Sequence, residues 1–306
     1  MSDVLNRVNE YVTNMDVVCS NALLARLNNY TRPRITEREK SFIKCNDLRH
    51  PIVERVQTSI QYVRNDIELD EKSGLILYGI NASGKSCFMK SIGCSIIMAQ
   101  SGMFVPASNF EYSPYTSLFT RILNIDNIYK GQSTFVYEMS ELRNILNYAN
   151  KNSLVIGDEL CSGTESISAV SIVASSVLNL IKKQASFLLA THLHELCKLS
   201  EITESNLLQI KHLSVRYDSD RDIIIYDRKL QDGQGDTLYG LEVCKSLDMG
   251  NDFIKLANDI RKKITHKSKE ILSSKQSKYN SKIYKDFCVI CENKSDDTHH
   301  IQEQQY

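Results

Sequence analysis

Residues Gly79 to Ser86 combine glycine, lysine and serine at a spacing that suits phosphate binding. They are Gly-Ile-Asn-Ala-Ser-Gly-Lys-Ser and match the pattern G-x-x-x-x-G-K-[ST] without a gap. The glycines allow backbone N–H groups to turn toward phosphate oxygens, and a following helix adds the positive end of its dipole. Lys85 is expected to hold the β- and γ-phosphates, and the Ser86 hydroxyl to bind Mg²⁺. A turn that merely joins a strand to a helix is the alternative.

Two acids, Asp158 and Glu159, directly follow the apolar run Ser-Leu-Val-Ile-Gly at 153–157. Ligands bind at the carboxyl ends of parallel strands, so Asp158 is placed to complete a Mg²⁺ shell. Glu159 is placed to polarise a water for attack on a γ-phosphate. Acids that only cap a helix are the alternative. Together with the phosphate loop, the pair favours ATP hydrolysis over nucleotide storage.

His192 follows a third apolar run, Ala-Ser-Phe-Leu-Leu-Ala-Thr at 185–191. At the carboxyl edge of the same sheet it is a candidate γ-phosphate sensor. A hydrogen-bonded core or surface histidine is the alternative.

These residues require a sheet that brings strand ends together. Short apolar runs at 74–79, 153–157 and 185–191, separated by helical stretches, predict an α/β fold with a mainly parallel sheet and helices on both faces. Residues 206–218 and 222–230 alternate around a polar turn, which predicts an antiparallel hairpin at the sheet edge.

Helical periodicity marks both ends of this α/β region. Apolar residues at steps of three and four predict a long helix, packed along one seam, that ends at Arg32-Pro33; the seam consists of Val4, Val8, Tyr11, Met15, Val18, Ala22 and Ala25. Helical patterns return at 239–248 and 251–264, and the residues beyond about 265 are Ser/Lys-rich, as in a linker.

Composition limits the class of protein. The 306 residues are 42% apolar and 24% charged, which is typical of a globular chain. Lysine plus arginine and aspartate plus glutamate both number 37, so overall charge favours neither nucleic acid nor membrane, although 261–285 is a basic segment. Seven of the nine cysteines occur singly, which favours reduced thiols and a reducing intracellular compartment. No uncharged apolar run approaches the ~20 residues of a membrane span, so no membrane partner is expected.

The ordered motifs resemble the ATPase domain of the MutS mismatch-repair family. The resemblance extends from about residue 15 to 262. The strings that carry it lie at 49–54 (Arg-His-Pro-Ile-Val-Glu), 79–86, 102–108, 119–127, 131–139, 153–166, 188–196 and 230–243.

The resemblance implies a P-loop NTPase of the ABC-ATPase type, preceded by the end of a long lever helix and followed by a helical dimerisation segment. In such dimers each ATP lies between the phosphate loop of one subunit and a serine of the other, and Ser133 matches that serine. His192 matches the family's switch histidine. The residues expected to bind ATP are Gly79, Asn81, Ala82, Ser83, Gly84, Lys85, Ser86 and, as the nearest match to an adenine-stacking aromatic, Tyr62; an exposed tyrosine is the alternative for Tyr62.

The sequence departs from the family in several places. Ile80, Ala82 and Ser83 replace Pro, Met and Gly of the phosphate loop, and none of these changes removes a phosphate ligand. Residues 161–164, Cys-Ser-Gly-Thr, stand where the family has Gly-Arg-Gly-Thr, so an arginine that couples the subunits is missing. Arg228 is near the position of a nucleotide-contacting histidine in many relatives.

The C-terminal segment has the opening of a zinc knuckle. Cys288 and Cys291, followed by His299-His300-Ile301, resemble an HNH nuclease segment found in a MutS branch that includes giant viruses and octocoral mitochondria. Cys288, Cys291 and His299 are candidate ligands of Zn²⁺ or a nuclease metal. The sequence ends five residues after Ile301, which favours a truncated or vestigial knuckle.

The predicted protein is an ATP-binding and ATP-hydrolysing MutS-like module of DNA mismatch repair, without the mismatch-reading and clamp domains. Its expected partners are DNA, through other chains or domains, and a second copy or a MutS relative. The alternatives are a non-catalytic nucleotide-binding partner, a fragment of a split MutS protein, and a nuclease accessory. The predicted domains are 1–48 (lever end), 49–264 (ATPase), 265–285 (linker) and 286–306 (knuckle). Cytoplasm, nucleus, mitochondrion and viral factory are not distinguished.

Overall fold

The computed structural model describes residues 2–57, 61–122, 134–218, 223–235, 240–247 and 249–265. They form two compact units: the described parts of 1–216 with 225–237, and the described parts of 217–224 with 238–306. The domain boundaries given above stay predictions.

Helices and strands are interspersed along the described chain. The helices are α1 Ser2–Asn28, α2 Val53–Val56, α3 Lys85–Gln100, α4 Thr134–Tyr148, α5 Ser166–Lys182, α6 Ser200–Thr203, α7 Gly240–Ser246 and α8 Asn251–Thr265, with a 3-10 helix at His194–Lys198. The strands are β1 Arg34–Ile35, β2 Ile43–Leu48, β3 Asn65–Leu69, β4 Gly74–Tyr78, β5 Asn109–Tyr112, β6 Ser117–Arg121, β7 Ser153–Asp158, β8 Ser186–Ala190, β9 Leu208–Leu213, β10 Arg216–Asp218, β11 Ile223–Ile225 and β12 Leu230–Asp232.

The site is built on a six-stranded sheet in the order β12-β9-β4-β8-β7-β6. Five neighbouring strands, β9, β4, β8, β7 and β6, pair in parallel. β12 pairs antiparallel with β9 at the edge, with Leu230 opposite Leu213. Every residue of β4 and of β8 is buried, as expected for strands that are covered on both faces. The mainly parallel sheet agrees with the sequence prediction. The predicted edge hairpin of 206–218 and 222–230 is only partly correct, because the edge strand that pairs with β9 is β12, and β10 and β11 form a separate two-stranded sheet. The turn at 219–222 lies outside the described residues.

Each face of this sheet has its own core. Leu75 and Leu77 of β4 pack in a core with α3, whereas Ile76 and Tyr78 pack in a core with α4 and α5. The α3 core also contains residues of a four-stranded sheet ordered β1-β5-β2-β3. The prediction of helices on both faces is thus correct but incomplete, because a second sheet shares the α3 core.

Helix α1 ends earlier than the sequence prediction. Asn29 adopts a left-handed conformation (φ 52°), and the Tyr30 N–H donates to the Ala25 carbonyl, which closes the helix at Asn28. The predicted end at Arg32-Pro33 was therefore wrong by a few residues. The predicted seam is exposed from Val4 to Ala22 within the described chain, and only Ala25 is buried.

The second unit contains α7 and α8, at the positions that the helical patterns predict. Arg261 Nη1 of α8 lies 3.7 Å from Glu242 Oε1 of α7. Phe253, Leu256 and Ile260 recur at helical spacing on α8 and are exposed by 47%, 62% and 47%. The described unit therefore presents an apolar stripe on α8.

Candidate active site

The phosphate loop connects β4 to α3, as its sequence predicts. Gly84 is the N-cap of α3 with φ 103°, and it has no side chain that could cap the first N–H groups of the helix. Ala82 also has a left-handed backbone (φ 64°). A Cβ on Gly79 would lie 2.7 Å from Ser83 Oγ, so the buried Ser83 is accommodated because residue 79 is glycine. The N-terminus of α3 therefore has no side-chain cap, an arrangement that suits an anion.

Lys85 is held at the centre of this loop. Its Nζ donates to the Gly79 carbonyl at 2.7 Å and to the Ile80 carbonyl at 3.3 Å, and lies 3.8 Å from Glu159 Oε1. Burial lowers the pKa of Lys85, while the charges of Glu159 and Asp158 oppose that shift. The Lys85 side chain is therefore buried, with oxygen atoms of the loop and of Glu159 around its Nζ.

Ser86 and Asp158 meet at the carboxyl end of β7. The Ser86 hydroxyl donates to Asp158 Oδ2, and Asp158 Oδ1 is buried without a hydrogen-bond partner among the described atoms. A buried carboxylate oxygen that lacks a donor is well suited to a cation. One hydroxyl and one carboxylate are the protein ligands that Mg²⁺ uses when phosphates and waters supply the rest. The residues present therefore fit a Mg²⁺ ion.

Glu159 and His192 contact each other beside Lys85. His192 Nε2 lies 2.8 Å from Glu159 Oε1, 3.0 Å from Asn81 Oδ1 and 3.2 Å from Lys85 Nζ. One ring nitrogen cannot serve all three partners at once, so these groups have alternative hydrogen-bond pairings. Glu159 itself adopts a left-handed backbone (φ 50°), and its N–H donates to the Ala190 carbonyl of β8.

A cavity of about 310 Å³ lies beside the phosphate loop. Its size is at the lower end of the range for small-molecule sites. The predicted Tyr62 is part of its wall, half-buried, with its hydroxyl 3.9 Å from Cys87 Sγ, and burial raises the pKa of that tyrosine. The lining residues are Val53, Gln57, Gln61, Tyr62, Val63, Asn65, Ala82, Ser83, Gly84, Cys87, Phe88, Leu213 and Arg228.

Arg228 lines the same cavity and has a fixed backbone. Its conformation is left-handed (φ 54°), and the buried Asn65 donates to its carbonyl at 2.9 Å and accepts from the Leu230 N–H at 2.7 Å. The sequence predicts Arg228 near the nucleotide but does not predict Asn65. Asn65 holds the backbone at Arg228, which is 163 residues away in the chain.

Several predicted residues lie outside the described part of the chain: Ser133, Cys288, Cys291 and His299. In the described ranges, no group of three or more His, Cys, Asp or Glu side chains is arranged to hold a metal ion. None of the helices in those ranges is both long and apolar enough to cross a membrane.

Comparison with known proteins identifies the family. Residues 75–265 match the family model of MutS domain V. The chain belongs to the MutS family. It is 37% identical to a DNA mismatch repair mutS homolog of Acanthamoeba polyphaga mimivirus, over 98% of this chain and 31% of that protein. A mitochondrial mutS homolog of Sarcophyton glaucum is 39% identical, over 95% of this chain and 30% of that protein.

A bacterial MutS, from Acetivibrio thermocellus, is 37% identical over 86% of this chain and 30% of its own length. The chain thus spans about 30% of the length of these MutS relatives. Membership confirms the resemblance inferred from the motifs, and the MutS domain V match includes the phosphate loop, Asp158, Glu159 and His192.

Proposed function

We propose that this MutS-family chain is a Mg²⁺-dependent ATPase module that acts in DNA mismatch repair. The observation that carries the proposal is the convergence of Lys85, Glu159 and His192 beside the Ser86–Asp158 pair. A nucleotide-storage site would not need an acid beside the phosphate lysine, whereas hydrolysis needs a group that can orient a water.

Ser86 and Asp158 would hold Mg²⁺, with the unpartnered Oδ1 of Asp158 as a further ligand. When bound, Mg²⁺ neutralises charge on the β- and γ-phosphates. Lys85 supplies a second positive charge, and the N-terminus of α3 offers N–H groups to the phosphates. The cavity that includes Tyr62 and Arg228 would bind the adenine of ATP.

Glu159 would act as the general base that activates the attacking water. Its Oε1 lies beside both Lys85 and His192, so a water that contacts this oxygen would be close to the group that binds the γ-phosphate. His192 would exchange its contact with Glu159 for one with the γ-phosphate, and in this way would sense that phosphate. Asn81 would keep the histidine at the loop, since it contacts the same nitrogen.

The active form would be a dimer, with a second copy or a MutS relative. Ser133 would complete the site of the other subunit, and the exposed stripe of Phe253, Leu256 and Ile260 would be buried between subunits. DNA would be contacted through partner chains or domains. The seven cysteines in the described part of the chain are free thiols, which supports a reducing compartment.

Phosphate release by the purified chain tests the proposal. We expect turnover of ATP that requires Mg²⁺, and loss of turnover when Lys85→Met removes the charge at the loop. ATP that binds without turnover under any Mg²⁺ concentration would refute the ATPase assignment and favour the non-catalytic partner.

A further inference from the structure

The loop that carries Glu159 has an unusual backbone. Between β7 and α5, Glu159 (φ 50°) and Cys161 (φ 64°) are both left-handed residues other than glycine. Side chains with a Cβ rarely adopt this conformation, and it persists only where the surroundings hold it. The conformation of residues 159–163 therefore depends on contacts from outside the loop.

Two hydrogen bonds hold the loop in place. The Glu159 N–H donates to the Ala190 carbonyl of β8 at 2.9 Å. Two residues later, the Cys161 N–H donates to Glu138 Oε1 of α4 at 2.8 Å. Glu138 and Cys161 are each only 2% exposed, so water does not compete for this second bond.

Helix α4 is a firm support for that bond. Glu141, one turn after Glu138, pairs with the buried Arg121 of β6 at 2.9 Å. A Cβ on Gly163 would lie 3.8 Å from Phe135 Cβ, so the first turn of α4 also runs close to the end of the loop. The carboxylate of Glu138 is thus presented from a helix that is fixed to the central sheet.

We propose that Glu138 is a positioning residue that holds loop 159–163 in the conformation in which Glu159 reaches Lys85 and His192. This inference rests on the proposed ATPase function, because it concerns the placement of the proposed base.

Three variants separate positioning from a general contribution to stability. Glu138→Met fills a similar volume without an acceptor, and Glu138→Gln keeps an acceptor oxygen. Arg143→Gln is the control, since it removes a charge from an exposed position of the same helix and leaves Glu138 and the Glu141–Arg121 pair in place. For each variant we would measure kcat, KM for ATP, ATP affinity, and amide hydrogen exchange of the peptides that contain 158–165 and 74–78.

Glu138→Met is expected to lower kcat by about a hundredfold, the loss that a misplacement of about 1 Å produces, with KM and ATP affinity nearly unchanged. Exchange of 158–165 should become about tenfold faster, because one protecting hydrogen bond is lost, while 74–78 stays protected. The kcat of Glu138→Gln should fall by no more than about fivefold. The kcat of Arg143→Gln should stay within about twofold of that of the unchanged chain.

The positioning role is overturned if Glu138→Met leaves kcat and exchange of 158–165 unchanged. It is also overturned if Glu138→Met weakens ATP affinity and speeds exchange in both peptides, since that pattern indicates a general loss of stability. If the unchanged chain binds ATP without turnover, the proposed function fails; exchange of 158–165 in the three variants still decides whether Glu138 holds the loop.

Discussion

Replacing Glu159 with glutamine separates ATP binding from ATP hydrolysis. The amide of Glu159→Gln has the same shape as the carboxylate and still contacts His192, whose Nε2 lies 2.8 Å from Oε1. It cannot accept a proton from water at neutral pH. We therefore expect a folded protein that binds ATP and does not turn it over.

The expected loss of hydrolysis rate and the expected change in ATP affinity can both be given a size. Loss of a general base typically costs about 10²- to 10⁴-fold in rate, or about 3 to 5 kcal/mol in barrier height. The carboxylate also lies 3.8 Å from Lys85 Nζ, where it competes with phosphate for the cation; its side chain is 38% exposed. Partly exposed ion pairs contribute about 0.2–1 kcal/mol, so ATP affinity should be unchanged or up to about fivefold tighter.

The assay pairs single-turnover hydrolysis with equilibrium binding of ATP and Mg²⁺. Glu165→Gln is the matched control, since Glu165 is an exposed acid near the same loop, with hydrogen bonds to Thr164 and Ser168. It should hydrolyse ATP at nearly the rate of the unchanged chain. A Glu159→Gln protein that hydrolyses ATP at that same rate would refute the assignment of the base.

Three further predictions concern charge, packing and assembly. Burial lowers the pKa of Lys85 below 10.5, so ATP affinity should fall as pH rises through that lowered pKa. If ATP affinity of Lys85→Met falls over the same pH range, Lys85 is not the group that titrates. A Cβ on Gly74 would overlap the buried Phe187, so Gly74→Ala should lower the free energy of unfolding by about 1–3 kcal/mol in urea titrations. Gly240→Ala is the control and should be nearly neutral, because a Cβ there has nothing within 4 Å. Equal stabilities of the two variants would contradict the packing around Gly74. Leu256→Glu places a charge in the exposed stripe of α8 and should shift sedimentation toward monomer, and an unchanged dimer would exclude the stripe as the interface.

The central sheet could be predicted from the sequence because its strands are contiguous apolar runs with polar residues at their carboxyl ends. The second sheet could not. β1 pairs with β5, so that Arg34 lies opposite Glu111, and the order β1-β5-β2-β3 joins segments from distant parts of the chain. Strand β1 has only two residues, and such short segments have no reliable hydrophobic period.

In the candidate site, too, some residues could be predicted from the sequence and others could not. The phosphate loop, Asp158 and Glu159 were predictable because the chemistry resides in short contiguous motifs after buried strands. Glu138 and Asn65 were not predicted, although Glu138 belongs to one of the strings that carry the family resemblance. Their partners are 23 and 163 residues away in the chain. Local sequence gives no signal for such a contact, since a buried carboxylate or amide can be recognised only when its partner is known.

The measurement that tests the central claim most directly is steady-state ATPase activity of the purified chain across protein concentration, with and without DNA. A composite site that needs residues from two subunits predicts a rate per subunit that rises with concentration and levels off once the dimer is populated. A substantial rate per subunit that does not change with concentration, from a chain that sediments as a monomer, would contradict the account. No turnover at any concentration, with ATP still bound, would also contradict it.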